Sequence, residues 1–504
     1  RHTSVYPRWH DQIHYLSESY NAYEFAQSRG VIAGLLNALT NSSAQGTLHD
    51  FFALLVFLVA GPSRSAALSV NMLALIAWQF ALFLSVARVH GSRPLALAAA
   101  MLPLALGGPW QNIPGSAYDF RLDHMALCAL GVTAATGMVA GEFRARRAAG
   151  CFGCAAGVTV VMRFLTGAYF VLIFAGLAAW LSREHERKAG LLHLLRAALF
   201  ATVIAGPVLW INHDSVREFY SIKNYIGPES VIRSPNLDVG RSFGFVVREV
   251  AQRHLGWFFL VIAVTGAVVL AAIRSSPARP VNRSGWIIGA LFLLSPLVIL
   301  TLHPQKNEVV AGALAPGVVT LTVAAWAFAA RRGSAIAISI FAAAVTSATL
   351  AVFFRAQVST AYPSTLQADF RQINTLADRI VARSHAAGLK EVRVAVDHIT
   401  DAIDGPVLRV IGYERKRVWM SINLTLPAGT AEPPEGLVME RLAQSDFVLL
   451  TEEAPETMHP FDRKLAAMRP QLRTWCEGNL RRTETFNVLG RRMTLYQRRE
   501  IPFP

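Results

Sequence analysis

Long apolar runs, separated by short polar links, fill the first 354 residues of the chain. A transmembrane helix needs about 20 predominantly apolar residues, and lipid requires it to satisfy its own backbone hydrogen bonds. The runs predict about ten such spans, at 66–87, 94–107, 123–141, 148–163, 166–181, 191–211, 256–273, 285–302, 308–330 and 334–354. We therefore expect a polytopic α-helical membrane protein.

Two further helical segments precede the first span. Residues 12–29 alternate polar and aromatic positions and predict an amphipathic helix lying on the membrane surface. The aromatic residues expected at that interface are Tyr15, Tyr20, Tyr23 and Phe25. The apolar run 49–61 is too short to cross a bilayer and predicts a juxtamembrane or re-entrant helix.

The pattern changes near residue 355 to that of a soluble domain. Helical and strand-like segments alternate at 364–388, 392–396, 446–450, 464–473, 483–488 and 493–497. This alternation predicts a small α/β domain over residues 355–504. The domain contains no Gly-rich phosphate loop and no nucleophile elbow. We expect it to act as a lid or an acceptor-binding module.

Composition agrees with the membrane interpretation. Hydrophobic residues make up 53% and charged residues 16% of the chain, whereas soluble domains carry about 25% charged residues. The net charge of +15 raises the question of a nucleic-acid partner. The basic residues lie in the links between spans, so they indicate topology and not nucleic-acid binding. Cys151 and Cys154, in a predicted span, favour close helix packing over redox or metal chemistry.

The links also predict an orientation. If the spans alternate, the arginine-rich links share one side, which the positive-inside rule makes cytoplasmic. Residues 1–65, the loops 108–122 and 212–255, and the domain 355–504 then face the exterior, on either side of the membrane domain 66–354. The expected location is the inner membrane of a bacterium, with the active site and the C-terminal domain in the periplasm.

The opening loop contains the first candidate carboxylate. Asp11 follows His10 directly and precedes the apolar spans, where a membrane-face loop could hold it rigidly. Asp is also a preferred helix N-cap residue, so a capping role explains Asp11 as well as a catalytic role does.

Further charged residues fall on the same predicted face. Asp119 and Asp123 flank Arg121 where the chain re-enters the bilayer, and ionisable groups at that depth are usually functional. Arg163 and Lys306 lie at the tips of two predicted helical hairpins. The alternatives are an Asp–Arg pair that anchors the loop, and basic residues that snorkel to the interface. Three cations on one face indicate a phosphate site at the lipid headgroup level.

Taken together, these features resemble the GT-C superfamily of glycosyltransferases, in particular the bacterial aminoarabinose transferases and the protein O-mannosyltransferases. The resemblance covers most of residues 9–354, as a pattern of an acid in the first loop, His49 opening a juxtamembrane helix, Arg121-x-Asp123 and a basic hairpin tip. Two motifs depart from the family. Its first-loop Asp-Glu pair is Asp11-Gln12 here, and its His-Pro-Pro is His49-Asp50-Phe51.

The resemblance implies an enzyme that moves a sugar from a polyprenyl-phosphate donor to a lipid, glycan or protein acceptor, by a single inverting displacement. Asp11 would take the acceptor proton, with Asp119 or Asp123 orienting the sugar or substituting as the base. Arg121, Arg163 and Lys306 would neutralise the departing lipid phosphate. The residues expected to line the substrate pocket are His10, His49, Asp50, Tyr220, Asn224 and Tyr225.

Two alternatives stay open at this point. Fixed cations make a metal unnecessary, whereas the neighbouring acids permit a divalent ion. A lipid-linked sugar flippase is the competing class, although such transporters usually show internal repeats and ionisable groups at the bilayer midplane, and neither is evident here.

Overall fold

The computed structural model describes most of the chain, and everything below refers to those residues. They are 10–41, 43–111, 113–184, 186–223, 238–273, 283–303, 306–333, 335–359, 364–389, 391–397, 405–422, 434–452, 463–488 and 491–501. They form two compact units. The membrane unit comprises Ala22–Gly61 and Ala66–Thr360, and the α/β unit comprises Arg1–Asn21, Pro62–Ser65 and Ala361–Pro504.

The membrane unit is built almost entirely of helices. After α1 (His10–Arg29), they are α2 (Val31–Thr40), α3 (Leu48–Ala60), α4 (Arg64–His90), α5 (Arg93–Met101), α6 (Leu122–Ala140), α7 (Arg146–Met162), α8 (Thr166–Leu181), α9 (Arg187–Ile211), α10 (His213–Arg217), α11 (Val239–Glu249), α12 (Gly256–Ile273), α13 (Arg283–Leu302), α14 (Ala315–Gly333) and α15 (Ala335–Ser359). In the described part of the chain, 7 helices are long and apolar enough to cross a membrane. The polytopic helical fold class is therefore confirmed.

The predicted spans all coincide with helices, but their lengths differ. Those predicted at 94–107, 148–163 and 166–181 form α5, which continues as a short 3-10 helix, α7 of 17 residues and α8 of 16 residues. The sequence analysis also missed α2, which begins directly after Gly30, a residue with a positive φ of 93°. The helix α2 packs closely on the end of α1, since a Cβ atom on Gly34 would lie 2.3 Å from the Cβ atom of Ala26.

Close packing of small residues fixes α7, the helix that ends next to Arg163. A Cβ atom on Gly153 would lie 2.3 Å from the carbonyl oxygen of Ala197 on α9, so the two backbones touch, as is common between membrane helices. On another side of α7, the hydroxyls of Thr133 and Thr159 are 2.9 Å apart and join it to α6. The end of α7 is thereby held against its two neighbours.

The α/β unit contains a mixed five-stranded sheet. Its elements are α16 (Ser364–Ala386), β1 (Val392–Val396), α17 (Gly405–Lys416), β2 (Met420–Ile422), α18 (Glu435–Ala443), β3 (Phe447–Thr451), α19 (Arg463–Asn479), β4 (Leu480–Val488) and β5 (Arg491–Arg498). The strand order is β2-β1-β3-β5-β4, with β1 parallel to β2 and β3, and β5 antiparallel to β3 and β4. The predicted α/β fold of this region is confirmed, while α17, β2 and α18 were not predicted.

The first helix differs from the surface helix that the sequence predicted. Tyr20 is fully buried and Tyr15 is 9% exposed, so neither lies at a membrane interface. Tyr20 stacks on Tyr413 of α17, with ring centroids 5.1 Å apart. The prediction of interfacial positions for these two tyrosines was wrong, because both are buried and the Tyr20 ring packs within the α/β unit.

Candidate functional site

A cluster of acids and arginines lies where α6 begins and α7 ends. Asp123 forms an ion pair with Arg163, and its other carboxylate oxygen is 3.6 Å from Nε of Arg121. The Arg121 Nε atom is also 3.8 Å from Asp119. These four side chains, which we call the acid–arginine cluster, are nearly inaccessible to solvent, with at most 11% of any one side chain exposed. Buried ions persist only when paired in this way.

The loop before α6 is held in place by its own polar contacts. The amide of Gly115 donates to Oδ2 of Asp119 at 2.6 Å, and the φ of Gly115 is +80°, which favours glycine. Nδ2 of Asn71, on α4, donates to the carbonyls of Ala117 and Asp119 at 3.2 and 2.9 Å. These bonds fix the backbone that carries Arg121.

The segment before α3 forms hydrogen bonds with the hairpin tip between α7 and α8, which carries Arg163. The amide of Thr47 donates to the carbonyl of Val161 at 3.1 Å, and the amide of Phe164 donates to Gln45 at 2.8 Å. Gly46 is needed for this approach, because a Cβ atom there would lie 2.1 Å from the carbonyl oxygen of Met162. The first turn of α3 is thus brought close to Arg163.

That first turn carries two of the predicted pocket residues. Nε2 of His49 lies 3.3 Å from Oδ1 of Asp50, and both side chains are largely buried. The ring of His49 is 6.1 Å from the ring of Phe120, which directly precedes Arg121. The structure therefore places the His49–Asp50 pair beside the loop that carries Arg121, and the substrate-binding role of this pair stays a prediction.

A small cavity adjoins the cluster. Asp123, Arg163, Tyr169 and His254 line it, and its volume of about 20 Å³ has room for about one water molecule. Tyr220 lies in the same electrostatic environment. Burial raises the pKa of Tyr220, and the nearby Arg163 acts in the opposite direction. Of the predicted pocket residues in the 212–255 loop, Tyr220 is thus near the cluster.

A much larger cavity lies along the membrane helices. It measures about 540 Å³ and is lined almost wholly by apolar side chains of α3, α4, α6 and α7. Phe52, Met125 and Met162 belong to its lining. Met162 directly precedes Arg163 and Met125 follows Asp123 by two residues, but none of the four acid–arginine cluster residues lines this cavity.

Lys306 has different surroundings from the other predicted cations. Its Nζ atom donates to the carbonyls of Leu300 and Thr301 at 2.9 and 3.0 Å, and also to the carbonyl of His303. Leu300 and Thr301 belong to the last turn of α13 and His303 directly follows it, where carbonyls lack partners within a helix. Partial burial lowers the pKa of Lys306. The phosphate-binding role of Lys306 stays a prediction, and its contacts make it a cap of the α13 C-terminus.

Some predicted residues fall outside what the structure describes. Asn224 and Tyr225 lie outside the described residues, and so do the side chains of His10 and Asp11, although both belong to α1. The roles of these four residues stay predictions. Among the described side chains, no group of three or more His, Cys, Asp or Glu residues could hold a metal ion.

Four residues around the site were not singled out from the sequence: Tyr169, Arg253, His254 and Glu308. His254 and Tyr169 line the small cavity, and Nε2 of His254 donates to the carbonyl of Glu308 at 2.8 Å. The carboxylate of Glu308 accepts a hydrogen bond from Arg253 at 2.8 Å. A histidine at the start of an otherwise apolar span was the only sequence signal for this group.

No family model and no curated protein matches the chain. ArnT from Cupriavidus metallidurans in the apo state aligns with a TM-score of 0.60 and 13% identity, over 98% of this chain and 93% of that one. The chain shares the fold of ArnT. The same protein bound to undecaprenyl phosphate aligns with a TM-score of 0.58 and 12% identity, over 100% and 96% of the two chains.

The likeness confirms the predicted GT-C resemblance at the level of the fold. It also extends over the α/β unit, since 98% of the chain is covered, whereas the sequence pattern reached only as far as residue 354.

Proposed function

We propose that the chain is an integral membrane glycosyltransferase that moves a sugar from a polyprenyl-phosphate donor to an acceptor. The observation that carries this proposal is that the same helices, α6 and α7, carry both the acid–arginine cluster and residues that line the 540 Å³ apolar cavity. An amphiphile with a long apolar tail and a phosphate fits such a site, because the tail has to stay among apolar groups and the phosphate needs charge-assisted hydrogen bonds.

Three helices around the cavity carry polar residues at the same end. His49 and Asp50 open α3, Asp123 opens α6, and Arg163 follows the last residue of α7. A tail between these helices would place its phosphate at their polar ends. The ArnT structure that contains undecaprenyl phosphate supports the same class of ligand for this fold.

The transfer step requires no covalent intermediate on the protein. The acceptor oxygen or nitrogen attacks the anomeric carbon, the bond to the phosphate oxygen breaks, and polyprenyl phosphate leaves with the electron pair. A carboxylate takes the proton that the acceptor loses, and one displacement inverts the anomeric configuration. Arg121 and Arg163 would stabilise the charge on the leaving phosphate. Asp11 is the proposed base, on the strength of the family resemblance, and Asp119 and Asp123 are the substitutes.

Asp123 sets a condition on phosphate binding. It pairs with both arginines, so a carrier phosphate has to compete with it for the same guanidinium groups. This competition would hold the arginines in place while the site is empty and release them when a phosphate arrives.

The proposed test uses purified protein in lipid nanodiscs and a panel of synthetic undecaprenyl-phosphate sugars, with hexose, pentose or aminoarabinose. We expect one donor to release undecaprenyl phosphate and an inverted product when acceptor lipids or glycans are added. Asp11→Asn should reduce this transfer by about two to four orders of magnitude, the usual contribution of a positioned base. Asp11→Ser is the control, because Ser caps a helix about as well as Asp but cannot act as this base.

The outcomes separate the competing classes. Movement of the intact donor across a bilayer, without release of undecaprenyl phosphate, would assign the chain to the flippases. Normal turnover of both Asp11 variants would transfer the role of base to Asp119, Asp123 or Asp50.

We also propose that the α/β unit faces the periplasm, in the inner membrane of a bacterium. Gly478 is exposed and has space for a side chain, so Gly478→Cys in a cysteine-free background should react with a membrane-impermeant thiol reagent in spheroplasts. Ser182→Cys, in the link after α8, should react only after lysis. The reverse pattern would overturn the orientation.

A further inference from the structure

The first half of α1 belongs to the α/β unit and not to the membrane helices. Residues up to Asn21 are grouped with Pro62–Ser65 and the C-terminal residues. Gln12 is fully buried, and its Oε1 atom accepts a hydrogen bond from Nε of Arg64 at 3.2 Å. Arg64 is itself only 1% exposed. The residue that follows Asp11 is therefore fixed from a distant part of the chain.

A second set of contacts holds the same helix two turns further on. Oε1 of Glu414 accepts a hydrogen bond from the hydroxyl of Tyr20 and another, at 3.0 Å, from the backbone amide of Arg64. The Tyr20 ring stacks on Tyr413, and Tyr413 stacks on Trp419 with centroids 4.3 Å apart. One carboxylate of α17 thus binds both α1 and Arg64, the first residue of α4.

Arginines complete this network at its edge. NH2 of Arg409 lies 3.4 Å from Oδ1 of Asn21, and its guanidinium carbon is 4.5 Å from the centre of the Trp419 ring. NH1 of Arg417 donates to the carbonyl of Pro62 at 3.3 Å. Buried polar groups joined in this way are rigid and specify one arrangement. A helix stabilised only by packing would not need a buried glutamine and a buried arginine.

We propose that Glu414, Tyr20 and Arg64 are positioning residues for sugar transfer, which fix the first turns of α1 and with them Asp11. The inference rests on the proposed function, in which Asp11 is the base. A helix rises only 1.5 Å per residue, so the bonds at Gln12 and Tyr20 constrain every backbone atom between them and the adjoining Asp11. A displacement of about 1 Å at a catalytic group can cost about 100-fold in rate.

The experiment measures kcat and KM, with the undecaprenyl-phosphate sugar that supports turnover, for Glu414→Gln and Tyr20→Phe. Glu414→Gln keeps the side-chain shape and weakens a charge-assisted acceptor, and Tyr20→Phe keeps the stacked ring and removes only the hydroxyl. We expect kcat to fall roughly 10- to 100-fold for Glu414→Gln, and less for Tyr20→Phe, with an unchanged KM for the donor. Glu435→Gln is the matched control, because Glu435 accepts a hydrogen bond from Gln471 on the surface of the same unit.

Combination with Asp11→Asn distinguishes positioning from simple stabilisation. A residue that acts through Asp11 should add no further loss in the Asp11→Asn background. An equal loss in both backgrounds, an unchanged kcat in the folded variants, or failure of both variants to fold would overturn the inference. If Asp11→Asn itself has normal turnover, the base assignment fails instead. If the wild type releases undecaprenyl phosphate from no donor, the proposed function fails.

Discussion

The two hairpin tips that carry Arg163 and Lys306 look alike in sequence and differ in structure. Each places one cation between two apolar runs. Arg163 forms an ion pair with Asp123 and is nearly buried, whereas Lys306 is bonded to carbonyls at the end of its own α13. Arg163 is thus paired with a carboxylate from another helix, whereas Lys306 binds backbone carbonyls at the nearby end of α13.

The difference shows what a cation at a membrane face can do. A bond to a helix C-terminus is local and stabilises the helix that carries the lysine. An ion pair with a carboxylate from another helix is a site that a phosphate can enter by exchange. We therefore expect the Arg163 tip to bind the carrier and the Lys306 tip mainly to stabilise the fold.

The largest effect should come from Arg163→Met. Loss of one charge-assisted contact costs about 1.5–3 kcal/mol, so the affinity for undecaprenyl phosphate should fall roughly 10- to 150-fold. Binding to protein in nanodiscs can be measured by native mass spectrometry. Arg163→Lys is the control. It should bind more tightly than the Met variant and less tightly than the wild type, since lysine keeps the positive charge but lacks the planar guanidinium group that can donate two parallel hydrogen bonds. Unchanged binding by the Met variant would remove the Arg163 tip from the carrier site.

Asp123→Asn should act in the opposite direction. Because Asp123 competes with the carrier for both arginines, its neutral variant should bind undecaprenyl phosphate more tightly, by a factor of about ten or less. The melting temperature without carrier should fall, because each of the two buried arginines loses one of its ionic partners, and it should recover when carrier is added. Weaker binding by Asp123→Asn would show that the acid helps to build the phosphate site and does not compete for it.

The smallest effect on binding is expected for Lys306→Met. Its loss should lower the melting temperature by an amount equivalent to roughly 0.3–1 kcal/mol, the usual size of a charge interaction at a helix end. The affinity for undecaprenyl phosphate should stay the same within about twofold. That change is much smaller than the loss expected when one charge-assisted hydrogen bond to the phosphate is removed. A loss as large as that of Arg163→Met would restore the phosphate-binding role that the sequence pattern predicted for Lys306.

Local patterns were enough to predict most elements of the fold. The apolar runs gave the helices of the membrane unit, and the strand at 392–396 has the predicted bounds. The predicted helix over 12–29 stops before Gly30, and α2 was missed because its apolar run of 10 residues is far too short to suggest a span. It also misplaced Tyr20, whose partner Tyr413 lies almost 400 residues away and leaves no local signal.

The candidate site was predictable only where its residues carry a signal in the local sequence. Arg121 and Asp123 are neighbours in sequence, and Arg163 interrupts an apolar stretch, so ionisable groups at membrane depth pointed to all three. Their mutual pairing depends on how α6 packs against α7, which no local pattern specifies. Tyr169 was not singled out because it is a polar residue within an apolar run, where a core position is the commoner explanation. His254 was not singled out because it ends a polar segment just before an apolar span, where interfacial residues are common.

The most direct measurement of the central claim is photolabelling with an undecaprenyl phosphate analogue that carries a diazirine on the isoprenoid chain. If the tail occupies the 540 Å³ cavity with its phosphate at the acid–arginine cluster, labelled peptides should come from α3, α4, α6 and α7, near Phe52, Met125 and Met162. Labelling there should fall strongly in Arg163→Met and persist in Lys306→Met. Labelling confined to the lipid-exposed face of α9, around Leu195 and Leu199, or labelling that Arg163→Met leaves unchanged, would contradict the account.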